Sequence, residues 1–232
     1  MCWGYLTGRA SSSLLGVSIN PYLILILAAL PDIDLVLGVF GIQHRTLTHS
    51  LIFWSLAFVP FFVKYRKRSI PYYLAPVQHI IFGDFIVGNN TPPLWPITRY
   101  YFNLGYNLLS PENIALEATG LVLFLLLMIG TKYGRTSFFQ KNNKHHALNI
   151  LAIVPLVSFV VFVYSYGWIA DLLVDYGLLR PGRLLDSAPV VIENQLFPYA
   201  LAMHVVLICA LSMPLVWRLI TRVSDMKLKN KS

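Results

Sequence analysis

Apolar residues run in long blocks along the whole chain, interrupted by short polar connections in which the basic residues gather. A spanning helix needs about 20 mostly apolar residues, and on that measure about six blocks predict transmembrane helices. They cover residues 21–40, 51–63, 72–87, 114–130, 147–168 and 196–220. The second is short, and the first and third contain acids, so these three are expected to be tilted, broken or shielded by the others. The last three read as ordinary spans. The pattern predicts an all-α, polytopic membrane protein, with 1–232 as a single membrane domain, a motif-bearing part over 1–100 and three further transmembrane helices over 114–220.

Composition agrees: 56% of residues are hydrophobic and 12% charged, and the mean hydropathy is +0.63, outside the range of ordinary soluble domains. The opening stretch carries Arg9 and a serine cluster without the apolar core of a cleavable signal, so the first spanning helix is expected to handle targeting. Cys2 and Cys209 form neither a disulfide framework nor a CxxC metal motif. The net charge of +8 does not read as a nucleic-acid footprint, because the basic residues sit in clusters between apolar blocks. Lys64, Arg66, Lys67 and Arg68 follow the second block, Lys132, Arg135, Lys141 and Lys144 the fourth, and Arg222, Lys227, Lys229 and Lys231 the sixth. Lys and Arg accumulate on the cytoplasmic side, so a multi-pass protein of the cell (inner or plasma) membrane with both termini in the cytoplasm is expected.

That orientation carries the polar residues of the first three blocks outward. Pro31-Asp32-Ile33-Asp34 and His44-Arg45-Thr46-Leu47-Thr48-His49-Ser50 place two carboxylates and two imidazoles beside strongly apolar stretches, and His79 and Asp84 follow on the third block. A carboxylate at the bilayer centre costs roughly 2.5 to 3.5 kcal/mol on insertion scales, so such groups need a partner. Imidazoles with carboxylates are a mixed nitrogen and oxygen donor set for one or two divalent ions, zinc first, with manganese or iron as alternatives. Asp32 and Asp34 lie about 200° apart on an ideal helix and reach one ion only if the backbone is irregular, which Pro31 encourages. His79 and Asp84 lie about 140° apart, and Gly83 is the residue that permits an adjustment. Thr48 or Ser50 is expected to cap the second helix, and Arg45 to meet a substrate anion.

Blander readings exist for each. His44, Arg45 and His49 also suit a polar surface loop, and His79 suits hydrogen-bonded packing. Glu117 and His204 serve equally as supporting partners or as interhelical hydrogen bonds. His145 and His146 read as solvated, and Pro92, Pro93, Trp95 and Pro96 as a stiff interfacial corner near the mouth of the site.

The Pro-Asp-Ile-Asp and His-Arg-Thr-Leu-Thr-His-Ser motifs, the His79 to Asp84 segment and Leu94-Trp95-Pro96 together resemble the LexA-regulated inner-membrane metal-dependent hydrolases. The resemblance covers about the first hundred residues. It implies metal binding by Asp32, Asp34, His44, His49, His79 and Asp84, and, through a distant kinship with zinc-dependent phospholipase C and single-strand nucleases, phosphoester hydrolysis. Family members carry a His just before a segment like Trp3-Gly4-Tyr5-Leu6-Thr7-Gly8, whereas no His precedes position 44 here. Their later His and Asp are often one residue closer together. The expectation is a membrane-embedded hydrolase of a phosphoester, a lipid phosphoester being the natural case, with a metal-activated water as nucleophile. Asp34, Arg45 and His49 are its catalytic residues, one Asp doubling as general base. The rival expectation is a non-enzymatic membrane protein: an ion or proton transporter using the acids as a relay, or a degenerate metal-binding homologue. Membrane lipids are the expected surroundings, and no nucleic-acid partner is expected.

Overall fold

The computed structural model describes residues 1–34, 46–86, 91–100, 104–106, 110–139, 148–154, 156–157 and 197–229, and every regular element among them is helical. Helix α1 (Cys2–Leu15) ends at Gly16, whose φ of 62° is the left-handed conformation that suits glycine. Helix α2 (Pro21–Ala29) starts on Asn20, whose side chain accepts from the amides of Tyr22 and Leu23, with Pro21 in the first turn where its missing N–H is not needed. A 3-10 turn (Leu30–Ile33) continues α2. Next come α3 (Leu51–Tyr65), a basic 3-10 turn (Arg66–Arg68) and α4 (Ile70–Gln78), which passes into a π-helical segment (His79–Ile86). Helices α5 (Pro111–Gly130), α6 (Lys132–Phe139) and α7 (Phe197–Lys229) complete the labelled set.

Two of the described helices are long and apolar enough to cross a membrane, Pro111–Gly130 and Pro198–Thr221. The expectation of six is therefore not supported, for reasons visible in the other blocks. The apolar helix of the first block is the short Pro21–Ile33, which tightens to 3-10 at Leu30 around Pro31, a residue with no amide hydrogen for an α-helical bond. Helix α3 has 15 residues, about 23 Å of rise against a hydrocarbon thickness of about 30 Å. The third block is split between α4 and the π segment, and the fifth is described only at 148–154 and 156–157.

Close contacts fix how the helices run. A Cβ on Gly4 would lie 2.4 Å from Ala28 Cβ, and one on Gly8 2.7 Å from Ile24 Cδ1, so α1 is antiparallel to α2 and touches it through glycines one turn apart. Helices α2 and α4 run parallel: the Asn20 amide donates to the Tyr72 hydroxyl at one end (2.8 Å), and His79 Nδ1 meets the Ala28 carbonyl at the other (2.9 Å). The core between α1, α2, α5, α6 and α7 is filled by Tyr5, Tyr22, Phe124, Phe138, Met128 and Leu211. Buried Arg218 of α7 donates to the Phe138 carbonyl at 2.8 Å, tying α7 to the end of α6. The basic turn 66–68 therefore lies at the end of the bundle where α2 and α4 begin, and Asp32 and His79 at the opposite end. Because α1 runs back against α2, Met1 starts at the site end, an arrangement not foreseen from the apolar blocks, which left α1 out.

Candidate metal centre

Three parts of the chain bring the polar groups together. The 3-10 turn after α2 supplies Asp32, the residue before the α3 cap supplies His49, and the π segment supplies His79 and Asp84. Ser50 caps α3 by accepting from the Phe53 amide, and its hydroxyl donates to the Trp95 carbonyl. The Leu51 amide donates to the Pro93 carbonyl at 2.8 Å, so the proline-rich corner packs on the start of α3 beside His49. The Trp54 indole donates to the Thr48 carbonyl at 2.7 Å and fixes the preceding backbone.

The π segment answers the angular problem of His79 and Asp84. Its hydrogen bonds close five residues apart instead of four, which widens the turn and brings residues i and i+5 onto one face. Both side chains point to His49: its Nε2 lies 3.6 Å from Asp84 Oδ2 and 3.4 Å from Asp32 Oδ1, while His79 Nε2 is 3.4 Å from the same Asp32 oxygen.

These separations are longer than good hydrogen bonds and fall in the range of an ion pair as well as of a coordination shell. A good N–H···O bond is about 2.7 to 3.2 Å between heavy atoms. Donor atoms bound at about 2.0 to 2.2 Å in a tetrahedron stand about 3.3 to 3.6 Å apart. Asp32, His49 and His79 form a group able to hold a metal ion, with one donor atom from each lying within 4.8 Å of the others, and Asp84 stands next to it.

The far sides of both imidazoles are held in the manner of metal-bound histidines. His79 Nδ1 faces the Ala28 carbonyl, and His49 Nδ1 faces Asp34 Oδ2 at 3.1 Å, leaving each Nε2 for the site. Asp34 Oδ2 also accepts from the Thr48 hydroxyl at 2.7 Å. The two acids of Pro-Asp-Ile-Asp thus differ in position: Asp32 shares the Nε2 side of His49, whereas buried Asp34 supports its opposite nitrogen. Thr48, weighed from sequence only as a cap, fastens Asp34 instead. Burial by itself would lower the pKa of His49, but the nearby carboxylates of Asp32, Asp34 and Asp84 outweigh burial and raise it to about 9. The carboxylates favour positive charge here, whether a proton on the ring or an ion beside it.

The remaining candidates fall elsewhere. His44, Arg45, His145 and His146 lie outside the described residues. His204 turns Nδ1 onto the Ala200 carbonyl of its own helix at 2.8 Å. Glu117 is half-buried on α5, and the start of α1 packs nearby, where the Trp3 indole donates to the Leu116 carbonyl at 3.1 Å. Cys2 and Cys209 are free thiols.

No curated protein and no solved structure matches the chain. A family model described as "YdjM inner membrane protein" does match, over residues 1–170, which takes in α1 to α6 and every residue of the centre. The chain belongs to this family of inner membrane proteins.

Proposed function

We propose that the protein is a multi-pass inner-membrane hydrolase that uses one or two divalent ions, zinc first among them, to cleave a phosphoester. The observation that carries the reading is the convergence of Asp32, His49 and His79, one donor atom from each lying within 4.8 Å of the others, with Asp84 Oδ2 3.6 Å from His49 Nε2. When bound, a divalent ion there lowers the pKa of a coordinated water toward about 7 and polarises the ester oxygen. The chain's residues do the rest. His49 and His79 are held as Nε2 donors by Asp34 and the Ala28 carbonyl. Asp32, the most open of the four, is placed to accept a proton from an attacking water. The net reaction adds hydroxyl to phosphorus and a proton to the departing oxygen. Arg45 and His44 are assigned to the same reaction on the strength of the motif alone.

Charge supports an orientation with the centre facing away from the cytoplasm, which puts Met1, at the site end, on that outer side and departs from the expectation of a cytoplasmic N-terminus. Lys64, Arg66, Lys67 and Arg68 lie around the end where α4 begins, and the acids Asp32, Asp34 and Asp84 at the other. LexA control, which the resemblance also implies, is tested at the promoter by transcript level after DNA damage.

The deciding experiment is elemental analysis of purified protein beside a His49→Ala/His79→Ala double variant after exchange into metal-free buffer, followed by phosphoesterase assays. Stoichiometric metal and turnover in the wild type alone support the reading. Metal-free wild type that conducts ions or protons when reconstituted would replace it with the transport reading.

A further inference from the structure

The centre opens on one side. The His49 side chain is wholly enclosed, whereas that of Asp32 is 46% exposed, so an incoming ligand meets Asp32 first. The two elements that carry Asp32, His79 and Asp84 are otherwise apolar. Ile33, next to Asp32, is exposed, and so are Ile81, Phe82 and Phe85 on the π segment that carries His79 and Asp84. Apart from Asp32, His79 and Asp84, neither the 3-10 turn nor the π segment holds a polar side chain.

Such exposed side chains are costly in water and ordinary against acyl chains. Exposed apolar side chains in a contiguous patch mark contact with lipid or another apolar partner. In a member of an inner-membrane family, a half-exposed carboxylate set among them needs a cationic or hydrogen-bonding neighbour. His49 and His79 are such neighbours at 3.4 Å, and a phospholipid-like amphiphile suits a cation added there as well as the apolar side chains. Its phosphate oxygens complement a cation held by Asp32, His49 and His79, and its hydrocarbon covers Ile33 and Phe85. A small water-soluble phosphoester would leave those side chains bare.

Resting on the hydrolase reading for the chemistry, we propose that the substrate is a membrane-resident phosphoester amphiphile that reaches the centre sideways from the bilayer, its chain lying along Ile33 and Phe85. In the reaction its phosphorus gains the hydroxyl of water, the phosphorus–oxygen bond to one alcohol breaks, and that alcohol leaves with the proton.

The test pairs two probes that differ only in the acyl chain, lysophosphatidylethanolamine and glycerophosphoethanolamine. Wild-type protein is expected to hydrolyse the first with a kcat/KM at least about tenfold higher, and Ile33→Gln/Phe85→Gln to lose most of that ratio, since polar groups added to an apolar contact weaken it by about this much. Ile33→Leu/Phe85→Leu should keep it. Metal content, read in every variant, reports an intact fold. Equal turnover of both probes, or a ratio untouched by the glutamines, overturns the inference and leaves the hydrolase reading standing. A readout free of turnover separates the two further: with manganese added to the protein, the 31P relaxation of the acylated probe should rise well above that of the deacylated one. That enhancement without hydrolysis of either probe would overturn the hydrolase reading and keep the amphiphile, and equal enhancement would overturn the amphiphile.

Discussion

Asp34→Asn separates the two acids of the Pro-Asp-Ile-Asp motif. Asp34 Oδ2 accepts from the Thr48 hydroxyl at 2.7 Å and faces His49 Nδ1 at 3.1 Å, both buried. Asparagine keeps the shape and one acceptor oxygen but removes the charge. Hydrogen bonds to a charged group contribute about 1.5 to 3 kcal/mol and neutral ones about 0.5 to 1.5, so the hold on the imidazole weakens by about 1 to 1.5 kcal/mol. That corresponds to about a tenfold loss of zinc affinity, the lower end of the 10- to 100-fold range typical for a group that orients a metal-bound histidine. Asp32→Asn, which removes a donor atom from the cluster itself, should lose much more. The assay is competition for zinc against a chromophoric chelator of known affinity, in detergent, with Thr48→Val as a third point expected to fall near Asp34→Asn. Equal losses in Asp34→Asn and Asp32→Asn would refute the division of labour, as would an Asp34→Asn protein that binds like the wild type.

Other outcomes follow from the same geometry. Gly4→Ala would press a methyl onto Ala28, whose carbonyl orients His79, and should cost roughly 1 to 3 kcal/mol of stability while weakening metal retention; thermal unfolding and metal content read the two effects. Ser50→Ala removes the α3 cap and its tie to Trp95, with a loss of about 1 kcal/mol expected in the same unfolding experiment. His49 has a folded pKa of about 9 against an ordinary 6.5, so in chelator-treated protein its stabilising contribution is full below pH 6.5 and is lost as pH rises through about 9. A difference in melting temperature between wild type and His49→Gln that does not shrink over that window would contradict this. Metal retention should run the opposite way, weakening on acidification, because the ion needs the neutral ring.

Much of the centre was legible because charge in an apolar context is a strong signal: Asp32, His49, His79 and Asp84 were singled out by type and setting, and they converge. The division between Asp32 and Asp34 was not legible, since two acids two residues apart look alike until the backbone shows which side of His49 each one meets. The Ala28 carbonyl could not be found either, because every residue carries one. Helix α1 escaped notice for a different reason. Beside Cys2 and Tyr5 its buried residues are Gly4, Gly8 and Ser12, small residues that score as weakly apolar yet allow close helix contact. Counting spans by apolar length overreached where Pro31 and the π register interrupt otherwise continuous blocks.

The π segment also recasts the five-residue spacing of His79 and Asp84. A π turn is an α-helix that has taken up one extra residue. In a regular helix positions i and i+4 share a face, and in the π register i and i+5 do, so a His and an Asp four apart on an α-helix and His79 and Asp84 here present the same pair of side chains in the same direction. A spacing of five on the π register is therefore equivalent in direction to a spacing of four on a regular helix, and the pair keeps one face.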